Sequence, residues 1–520
     1  MEKITNPGIA ILDIALGLAC GALLALCLPR AGFWPLGWLA LAPLFALWSR
    51  RSPARASIGG LAAGFGFHGL TFYWIYSTCR FAGLPRTLAA AAWAALALIL
   101  AVDWALAAAA GAWLTRRASE AAKPWLWAAL WSAAAFAIGR WTSRPSADLL
   151  AYTQYRNLSL IQINSVLGPE GLGFIVAAFN AALGLALCPS RPSSPNGRGR
   201  FWRIANFTAA ALLAAGGWAW GKAQLDKAPT TTPKPALAVE LLQPDVDQYQ
   251  KWSPAFVRGI WSDLEGLLAR PRRQKPALIV WPESSVPRLI LDGQSIPEAA
   301  AWSRRLGAFQ IVGAVTVGPA GTYNAAVLLK PGGTFGGVYH KRVLVPFGEY
   351  VPLPFLRRWI GILDELGNMT PGGPRQPLFK TPLGAVGVAV CYEMIFPRLI
   401  RQDAARGARV IVNITNDGWY KDTWGPYQHF MASRFRAVEN RVYVLRAANT
   451  GISGEVDPWG RVLAELPLGQ NGRLDAQIPK TDPFPERSFY ARHGDWFGAL
   501  CLLLILGWAA WTIGPRKETE

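Results

Sequence analysis

The sequence predicts a polytopic α-helical membrane domain of about eight spans, with an α/β domain inserted between spans seven and eight. Hydrophobic residues make up 52% of the 520 residues, and charged residues only 16%. Ordinary soluble domains carry roughly 25% charged residues, so a purely soluble or disordered protein is excluded. Long apolar runs fill residues 1–220, whereas residues 221–495 alternate short apolar strands with helices.

Eight apolar segments are predicted to cross the bilayer, since a spanning helix needs roughly 20 residues. Two of them are short, and the fourth is long enough to tilt. The first is expected to be retained rather than cleaved as a signal peptide, because it lacks a clear small-residue cleavage site. The predicted spans are 9–28, 33–49, 56–78, 87–115, 124–140, 168–188, 203–220 and 496–514.

The positions of Lys and Arg predict the orientation. These residues are more numerous in the short loops on the side of the two termini, so both termini are expected in the cytoplasm. The domain 221–495 is then expected in a periplasm-like space, followed by a last span and tail at 496–520. The net charge of +20 together with long apolar runs favours anionic lipid over nucleic acid as a partner.

Two carboxylates, Asp13 and Asp103, lie inside apolar runs. A charge at mid-bilayer costs about 3 kcal/mol or more, so each is expected to face protein or to be protonated. A hydrogen bond between helices is the favoured interpretation. A lipid-headgroup or proton site is the alternative.

The second half of the chain predicts a layered α/β domain. Its strands are short, β-branched and apolar on both faces, as in sheets covered by helices. The predicted strands are 236–242, 277–281, 309–317, 325–330, 385–391, 409–415 and 441–450. The predicted helices are 254–270, 296–306, 394–406 and 426–439.

Cys391 is the single cysteine between residues 221 and 495. No disulfide can form within that domain, although the compartment predicted for it is oxidising. The lone thiol is therefore a candidate reactive group. A packed structural cysteine is the alternative, because free cysteines are often buried.

Three short segments place reactive side chains where apolar strands end, which is where α/β sheets carry chemistry. They are VWPESSVP (280–287) with Glu283, YHKRVLVPFGEY (339–350) with Lys341, and VAVCYEMIFP, ending at residue 397, with Cys391. A carboxylate, an amine and a thiol suffice for covalent acyl chemistry. Glu283 can take the thiol proton, Cys391 can attack a carbonyl, and Lys341 can stabilise the oxyanion. The Tyr392 N–H is a natural second donor. An ordinary Glu283–Lys341 ion pair is the alternative.

This trio resembles the Glu-Lys-Cys set of the nitrilase, or carbon–nitrogen hydrolase, superfamily. With seven spans before the domain and one after it, the whole chain resembles the apolipoprotein N-acyltransferase family. The segments WPES, YHKR…VPFGEY and CYE carry the resemblance. It implies an αββα sandwich for 221–495, catalytic roles for Glu283, Lys341 and Cys391, and a bacterial inner-membrane location.

The resemblance also implies supporting roles for Glu349 and Glu393 and substrate contacts for Trp252 and Tyr392. Trp252 is matched through its place in QPDVDQYQKW after the first strand. The two glutamates are expected to orient Lys341 rather than to transfer protons, because nearby carboxylates keep an amine charged. Asn324 is expected either to cap a turn, which is favoured, or to orient a catalytic group in the substrate site.

No cofactor and no metal are predicted. His340 and His429 are interpreted as structural, since no paired His/Cys/Asp spacing accompanies them. The segment 351–370 mixes apolar residues with Arg357 and Arg358. A mobile lid that lies in the membrane interface is one interpretation, and a surface helix packed on the domain is the other.

The resemblance implies transfer of an acyl chain from a membrane phospholipid, through a Cys391 thioester, to the N-terminal cysteine amine of a diacylated lipoprotein. A membrane-anchored amidase or nitrilase that uses water would need the same trio. Eight spans argue against it, because one would suffice as an anchor. A lipid or solute transporter is a third possibility, but the spans lack a clear pair of broken helices in matching halves.

Overall fold

The computed structural model describes residues 7–141, 148–188, 198–251, 253–352, 368–480 and 484–513. The chain divides into two compact units. The first comprises Met1–Lys227 and His493–Glu520, and the second comprises Ala228–Arg492. The domain bounds expected from the sequence stay predictions.

The helices, in chain order, are α1 (Pro7–Ala25), α2 (Ala42–Trp48), α3 (Pro53–Thr71), α4 (Trp74–Phe81), α5 (Arg86–Leu114), α6 (Lys123–Trp141), α7 (Leu158–Ile161), α8 (Asn164–Leu187), α9 (Arg198–Asp226), α10 (Val257–Ala269), α11 (Pro297–Leu306), α12 (Pro397–Ala405), α13 (Gly425–Asn440), α14 (Phe489–His493) and α15 (Trp496–Ile513). The strands are β1 (Ala236–Gln243), β2 (Pro276–Val280), β3 (Leu289–Leu291), β4 (Phe309–Gly318), β5 (Gly321–Leu329), β6 (Phe335–His340), β7 (Phe379–Thr381), β8 (Gly384–Val390), β9 (Val410–Thr415), β10 (Tyr443–Ala448), β11 (Ser453–Val456), β12 (Val462–Leu466) and β13 (Gly472–Pro479).

The first unit is helical. Within the described part of the chain, three helices are long and apolar enough to cross a membrane, namely Arg86–Arg117, Asn164–Leu187 and Trp496–Ile513. The apolar segments Ala10–Ala25 and Trp34–Trp48 are shorter. The count of eight spans and the insertion of the second unit between spans seven and eight remain predictions.

The second predicted span, 33–49, is divided. A 3-10 helix (Trp34–Trp38) is followed by α2, which has only seven residues. Each piece has a proline in its first turn. Proline is tolerated there but cannot continue a preceding helix, because it lacks the backbone N–H. The prolines therefore explain the division.

Both carboxylates within the apolar runs contact other parts of their own unit. Asp13 is buried and accepts a hydrogen bond from Arg51 Nη2 over 2.9 Å. Arg51 lies between α2 and α3, so the contact joins α1 to the connection between two other helices. Asp103 lines a cavity together with Asp148 and Glu170. Asp13 thus faces protein, as expected, although its partner lies in a connection between helices rather than on a helix.

The second unit is a sandwich of two sheets. The order of the seven-stranded sheet is β13-β1-β2-β4-β5-β6, with β3 also paired to β4. The six-stranded sheet has the order β12-β11-β10-β9-β8-β7. Parallel pairs lie at the centre of both sheets (β1–β2, β2–β4, β8–β9 and β9–β10). This topology confirms the α/β class expected from the sequence.

Apolar side chains from both sheets form the interior of the sandwich. Val239 and Leu278 from the first sheet share one buried cluster with Val388, Val412 and Leu445 from the second. The opposite face of the first sheet packs on α10 and α11, and α12 and α13 contact the second sheet at β8 and β10. The layer order is therefore helix, sheet, sheet, helix.

Each predicted strand and helix of this unit matches an observed element to within a few residues. The strands that the pattern missed have other sequences. β6 (FGGVYH) is rich in glycine, and β13 (GRLDAQIP) alternates polar and apolar residues. Such strands lie near or at sheet edges, where one face is not fully covered. A search for continuous apolar runs cannot find them.

Candidate active site

The three predicted catalytic residues follow strands of the sandwich. Glu283 lies shortly beyond β2, Lys341 directly follows β6, and Cys391 directly follows β8. β2 and β6 belong to the seven-stranded sheet, and β8 belongs to the six-stranded sheet. Both sheets therefore contribute to the candidate site.

The segment that carries Glu283 is held against β4. The Ser285 N–H and hydroxyl both donate to the Gly313 carbonyl, over 2.9 and 3.0 Å. A Cβ at Gly313 would lie 2.0 Å from the Pro282 carbonyl oxygen, so only glycine permits this approach. Ser284 has φ of 46°, which is uncommon for a residue other than glycine. This backbone directs the Glu283 side chain into the site.

The Lys341 ammonium lies among carboxylates and is almost completely buried. Its Nζ is 2.9 and 2.8 Å from Glu349 Oε1 and Oε2, and 3.7 Å from Glu283 Oε1. Burial alone lowers the pKa of Lys341, but the Glu349 and Glu283 charges outweigh burial and raise that pKa. Lys341 therefore stays charged at neutral pH, which suits an oxyanion donor rather than a base.

Asn324 joins the two carboxylates. Its Nδ2 donates to Glu283 Oε1 over 2.7 Å and to Glu349 Oε1 over 2.8 Å. Asn324 lies within β5, so its interpretation as a turn cap is wrong. The segment TYNAA forms part of a continuous strand from Gly321 to Leu329. The amide donates to both acceptors and thereby reduces the repulsion between Glu283 and Glu349.

Cys391 opens a 3-10 helix (Cys391–Ile395) and has φ of 53°. It is buried, and burial raises the pKa of its thiol. The Glu283 charge raises this pKa further, whereas the Lys341 charge lowers it. The thiol is therefore protonated at neutral pH and needs a base before it can attack, because the thiolate is the nucleophile.

Glu393 acts on the backbone beside Lys341 rather than on the ammonium itself. Its Oε1 accepts from the N–H groups of Arg342 (2.6 Å) and Val343 (3.1 Å). Its Oε2 accepts from the Val390 N–H and the Tyr339 hydroxyl, each over 2.7 Å. The structure therefore corrects the expectation that Glu393 forms an ion pair with Lys341. Burial raises the pKa of Glu393, although these donors and the nearby cations lower it.

The remaining predicted residues are placed as follows. Tyr392 is half-buried and lies next to the nucleophile in the 3-10 helix. His340 Nε2 is 3.0 Å from Asp292 Oδ1, as fits a structural histidine. Trp252 and the central part of the segment 351–370 (353–367) lie outside the described residues. Substrate contacts of Trp252, Tyr392 and Asn324 stay predictions.

A buried polar network behind Cys391 was not predicted from the sequence. His429 Nε2 is 2.9 Å from the Cys391 carbonyl oxygen, and its Nδ1 is 2.9 Å from Asp417 Oδ1. Arg446 Nη2 donates to Asp417 Oδ2 over 2.7 Å. The network fixes the unusual backbone of Cys391. Arg446, within the largely apolar segment RVYVLRAANT, could have indicated this network, because a buried charge requires a partner.

One ligand atom from each of Cys391, Asp417 and His429 lies within 4.8 Å of the other two, as in a metal site. The imidazole nitrogens already face the Cys391 carbonyl and Asp417. The Arg446 guanidinium pairs with Asp417 and places a positive charge where a cation would bind. These contacts favour a hydrogen-bond network over a metal centre.

Residues 248–482 match the family model of the carbon-nitrogen hydrolases. Among solved structures, Nit3 of Saccharomyces cerevisiae, a member of branch 10 of the nitrilase superfamily, aligns with 55% of this chain and 97% of its own at 18% identity, with a TM-score of 0.38. The sandwich, the Glu283–Lys341–Cys391 site and the family match define the second unit as a carbon–nitrogen hydrolase domain.

The other unit matches a second family. Residues 20–182 match the model of the apolipoprotein N-acyltransferase N-terminal domain. An apolipoprotein N-acyltransferase of Geobacter metallireducens is 34% identical over 94% of this chain and 93% of its own length. That of Caulobacter vibrioides is 32% identical over 95% and 93%. The chain belongs to the apolipoprotein N-acyltransferase family.

Proposed function

We propose that this chain transfers an acyl group from a membrane phospholipid to the α-amine of the N-terminal cysteine of a diacylated lipoprotein. The observation that carries the proposal is the charged Lys341 held between Glu349 and Glu283. The charges of Lys341 and Glu283 both act on the buried Cys391 thiol. Family membership supports the lipid donor and the lipoprotein acceptor.

The first half-reaction forms a thioester. Glu283 takes the proton of the Cys391 thiol, and the sulfur attacks the ester carbonyl of the phospholipid. Lys341 and the Tyr392 N–H stabilise the negative oxygen that develops. When the intermediate collapses, Glu283 returns the proton to the departing oxygen. The products are an acylated Cys391 and a lysophospholipid.

The second half-reaction transfers the acyl group to nitrogen. The neutral α-amine attacks the thioester carbonyl, and the same donors stabilise the oxyanion. Glu283 takes the proton from the attacking nitrogen and passes it to the departing Cys391 sulfur, so the site returns to its starting state. Exclusion of water matters in this interval, because hydrolysis would release a free fatty acid.

The membrane arrangement belongs to the same proposal. Eight spans, cytoplasmic termini and a catalytic domain on the periplasmic side of the bacterial inner membrane would bring the site to the surface where both substrates keep their acyl chains. Trp252 and Tyr392 would contact substrate, and the segment 351–370 would act as a lid. The basic loops on the side of the termini and the apolar segments support this arrangement.

The experiment is a transfer assay with the purified full-length protein in phospholipid vesicles. The acceptor is a diacylated peptide with a free N-terminal cysteine, and the control acceptor is the same peptide with an acetylated α-amine. We expect triacylated peptide only from the free amine, with one lysophospholipid released per transfer. Release of free fatty acid at the same rate with both peptides would instead identify a hydrolase.

A further inference from the structure

A second lysine is buried near Glu283. Lys251 is 3% exposed, and its Nζ donates to the Glu283 carbonyl oxygen over 2.8 Å. Lysine is rarely buried so completely without a specific partner. Here the partner is the backbone of the catalytic glutamate, on the segment where Ser284 has its unusual φ. Lys251 is therefore placed to restrain that segment.

The loop that carries Lys251 is anchored to the other sheet. It follows β1, and the Asp245 N–H donates to the Asn449 carbonyl over 3.1 Å. The Asn449 side chain accepts from the Val246 N–H and donates to the Val246 carbonyl, over 3.2 and 2.8 Å. The Lys251 N–H donates to the Asp247 carbonyl and closes the turn. The loop backbone is thus held beside the second sheet, while the ammonium contacts the Glu283 segment beside the first.

We propose that Lys251 is a positioning residue that fixes the Glu283 segment and supplies the cation that balances the Glu283 charge during proton transfer from Cys391. The inference rests on the proposed function, in which Glu283 is the base and Cys391 the nucleophile. Lys341 alone does not balance the site, because Glu283 and Glu349 carry two negative charges. Lys251 provides the second positive charge.

The charge of Lys251 is useful throughout the proton transfer. It interacts with both Glu283 and Cys391. Moving the thiol proton to Glu283 transfers the negative charge from the carboxylate to the sulfur, and the ammonium attracts it in either place. The carboxylate on the same turn, Asp247, is paired with Lys421 over 3.3 Å. The charge of Lys251 therefore interacts mainly with the Glu283 carboxylate and, after proton transfer, with the Cys391 thiolate.

The pH dependence of the reaction should report this role. Burial lowers the pKa of Lys251 to about 8, although Glu283 and Cys391 raise it. Above that pH the lysine becomes neutral, and the site loses one of its two balancing cations. We therefore expect the rate of acyl loading of Cys391 to fall as the pH rises through about 8.

The experiment measures single-turnover acyl loading of Cys391 in phospholipid vesicles between pH 6 and pH 10, without an amine acceptor. The variants are Lys251→Met, which has similar length but no charge, and Lys251→Arg, which keeps a charge that does not titrate in this range. The matched control is Lys380→Met, an exposed lysine of β7. Thermal unfolding of each variant reports whether it is folded.

We expect Lys251→Met to load about 10- to 100-fold more slowly at pH 7, as for loss of a hydrogen bond from a charged group, with an unchanged KM for phospholipid. Its alkaline decline should be absent. Lys251→Arg should restore most of the rate and show no decline up to pH 10. Lys380→Met should match the wild type.

The inference is overturned if wild-type protein loads but Lys251→Met loads equally fast. It is also overturned if Lys251→Arg keeps the wild-type alkaline decline, which applies even if Lys251→Met does not fold. Failure of the wild type to load would count against the proposed function itself, so the two failures are distinguishable.

Discussion

Replacing Glu349 by glutamine should slow acyl loading by removing the nearest charge from Lys341. At 2.9 Å and an effective dielectric constant of about 20, the Lys341–Glu349 attraction is about 6 kcal/mol. The corresponding figure for Glu283 at 3.7 Å is about 4.5 kcal/mol. In Glu349→Gln the Lys341 ammonium should move toward Glu283 and pair with it, so that Glu283 becomes a weaker base for the Cys391 thiol. Because the glutamine amide and water recover part of the lost attraction, we expect a net cost of about 3–4 kcal/mol.

That cost corresponds to a loss of about 100- to 1,000-fold in the single-turnover rate of Cys391 loading, measured by quenched-flow mass spectrometry at pH 7. The matched control is Glu298→Gln, which breaks the half-exposed pair between Arg288 and Glu298. Surface pairs contribute little, so this variant should load at the wild-type rate. A folded Glu349→Gln protein that loads within threefold of wild type would refute the assignment of Glu349 as the residue that holds Lys341.

Three further predictions concern the backbone and the buried network. Gly313→Ala should slow acyl loading about 100-fold, because its Cβ would displace the Glu283 segment. The control is Gly266→Ala in α10, where open space surrounds the new Cβ. This control should load at the wild-type rate and raise the free energy of unfolding by about 0.5–1 kcal/mol. Equal rates in the two variants would contradict this account. Glu393→Gln should lower the free energy of unfolding by about 1–3 kcal/mol, because the amide cannot accept from all the donors that the carboxylate serves. Denaturant unfolding measures this change, and an unchanged midpoint would count against the prediction. Burial raises the pKa of Asp417, but Arg446 and His429 outweigh it and lower that pKa. The ionised group therefore stabilises the fold above its unfolded pKa of about 3.9, and this stability is lost as the pH falls. Asp417→Asn should be less stable than wild type at pH 7, with a difference that narrows toward pH 3; a difference independent of pH would be contrary to this.

Two members of the candidate trio, Glu283 and Cys391, were predictable because they follow strongly apolar strands. Such strands are recognised from composition alone, and their ends converge when the sheets pack. Lys341 follows the glycine-rich β6 and was found through the segment YHKRVLVPFGEY instead. The chemistry of the three groups then indicated their roles, and the motif resemblance indicated the family.

The supporting contacts were not predictable in the same way. The Asn324 bridge depends on the pairing of β5 with β4 and β6, which no local pattern defines. Lys251 reaches Glu283 only because Asn449, roughly 200 residues away in the chain, anchors its loop. Glu393 was expected to pair with Lys341, but four nearer donors take its oxygens. Side-chain partners across the sandwich require the tertiary structure.

The most direct test of the central claim is peptide mass spectrometry of the full-length protein after incubation with phospholipid vesicles and no amine acceptor. The account predicts an acyl thioester on Cys391, absent from Cys391→Ala and Glu283→Gln and unaffected by Cys188→Ser. Adding a diacylated peptide with a free N-terminal cysteine should discharge it. Triacylated peptide formed at the wild-type rate by Cys391→Ala, or by wild-type protein that never carries an acyl group on Cys391, would contradict the covalent mechanism.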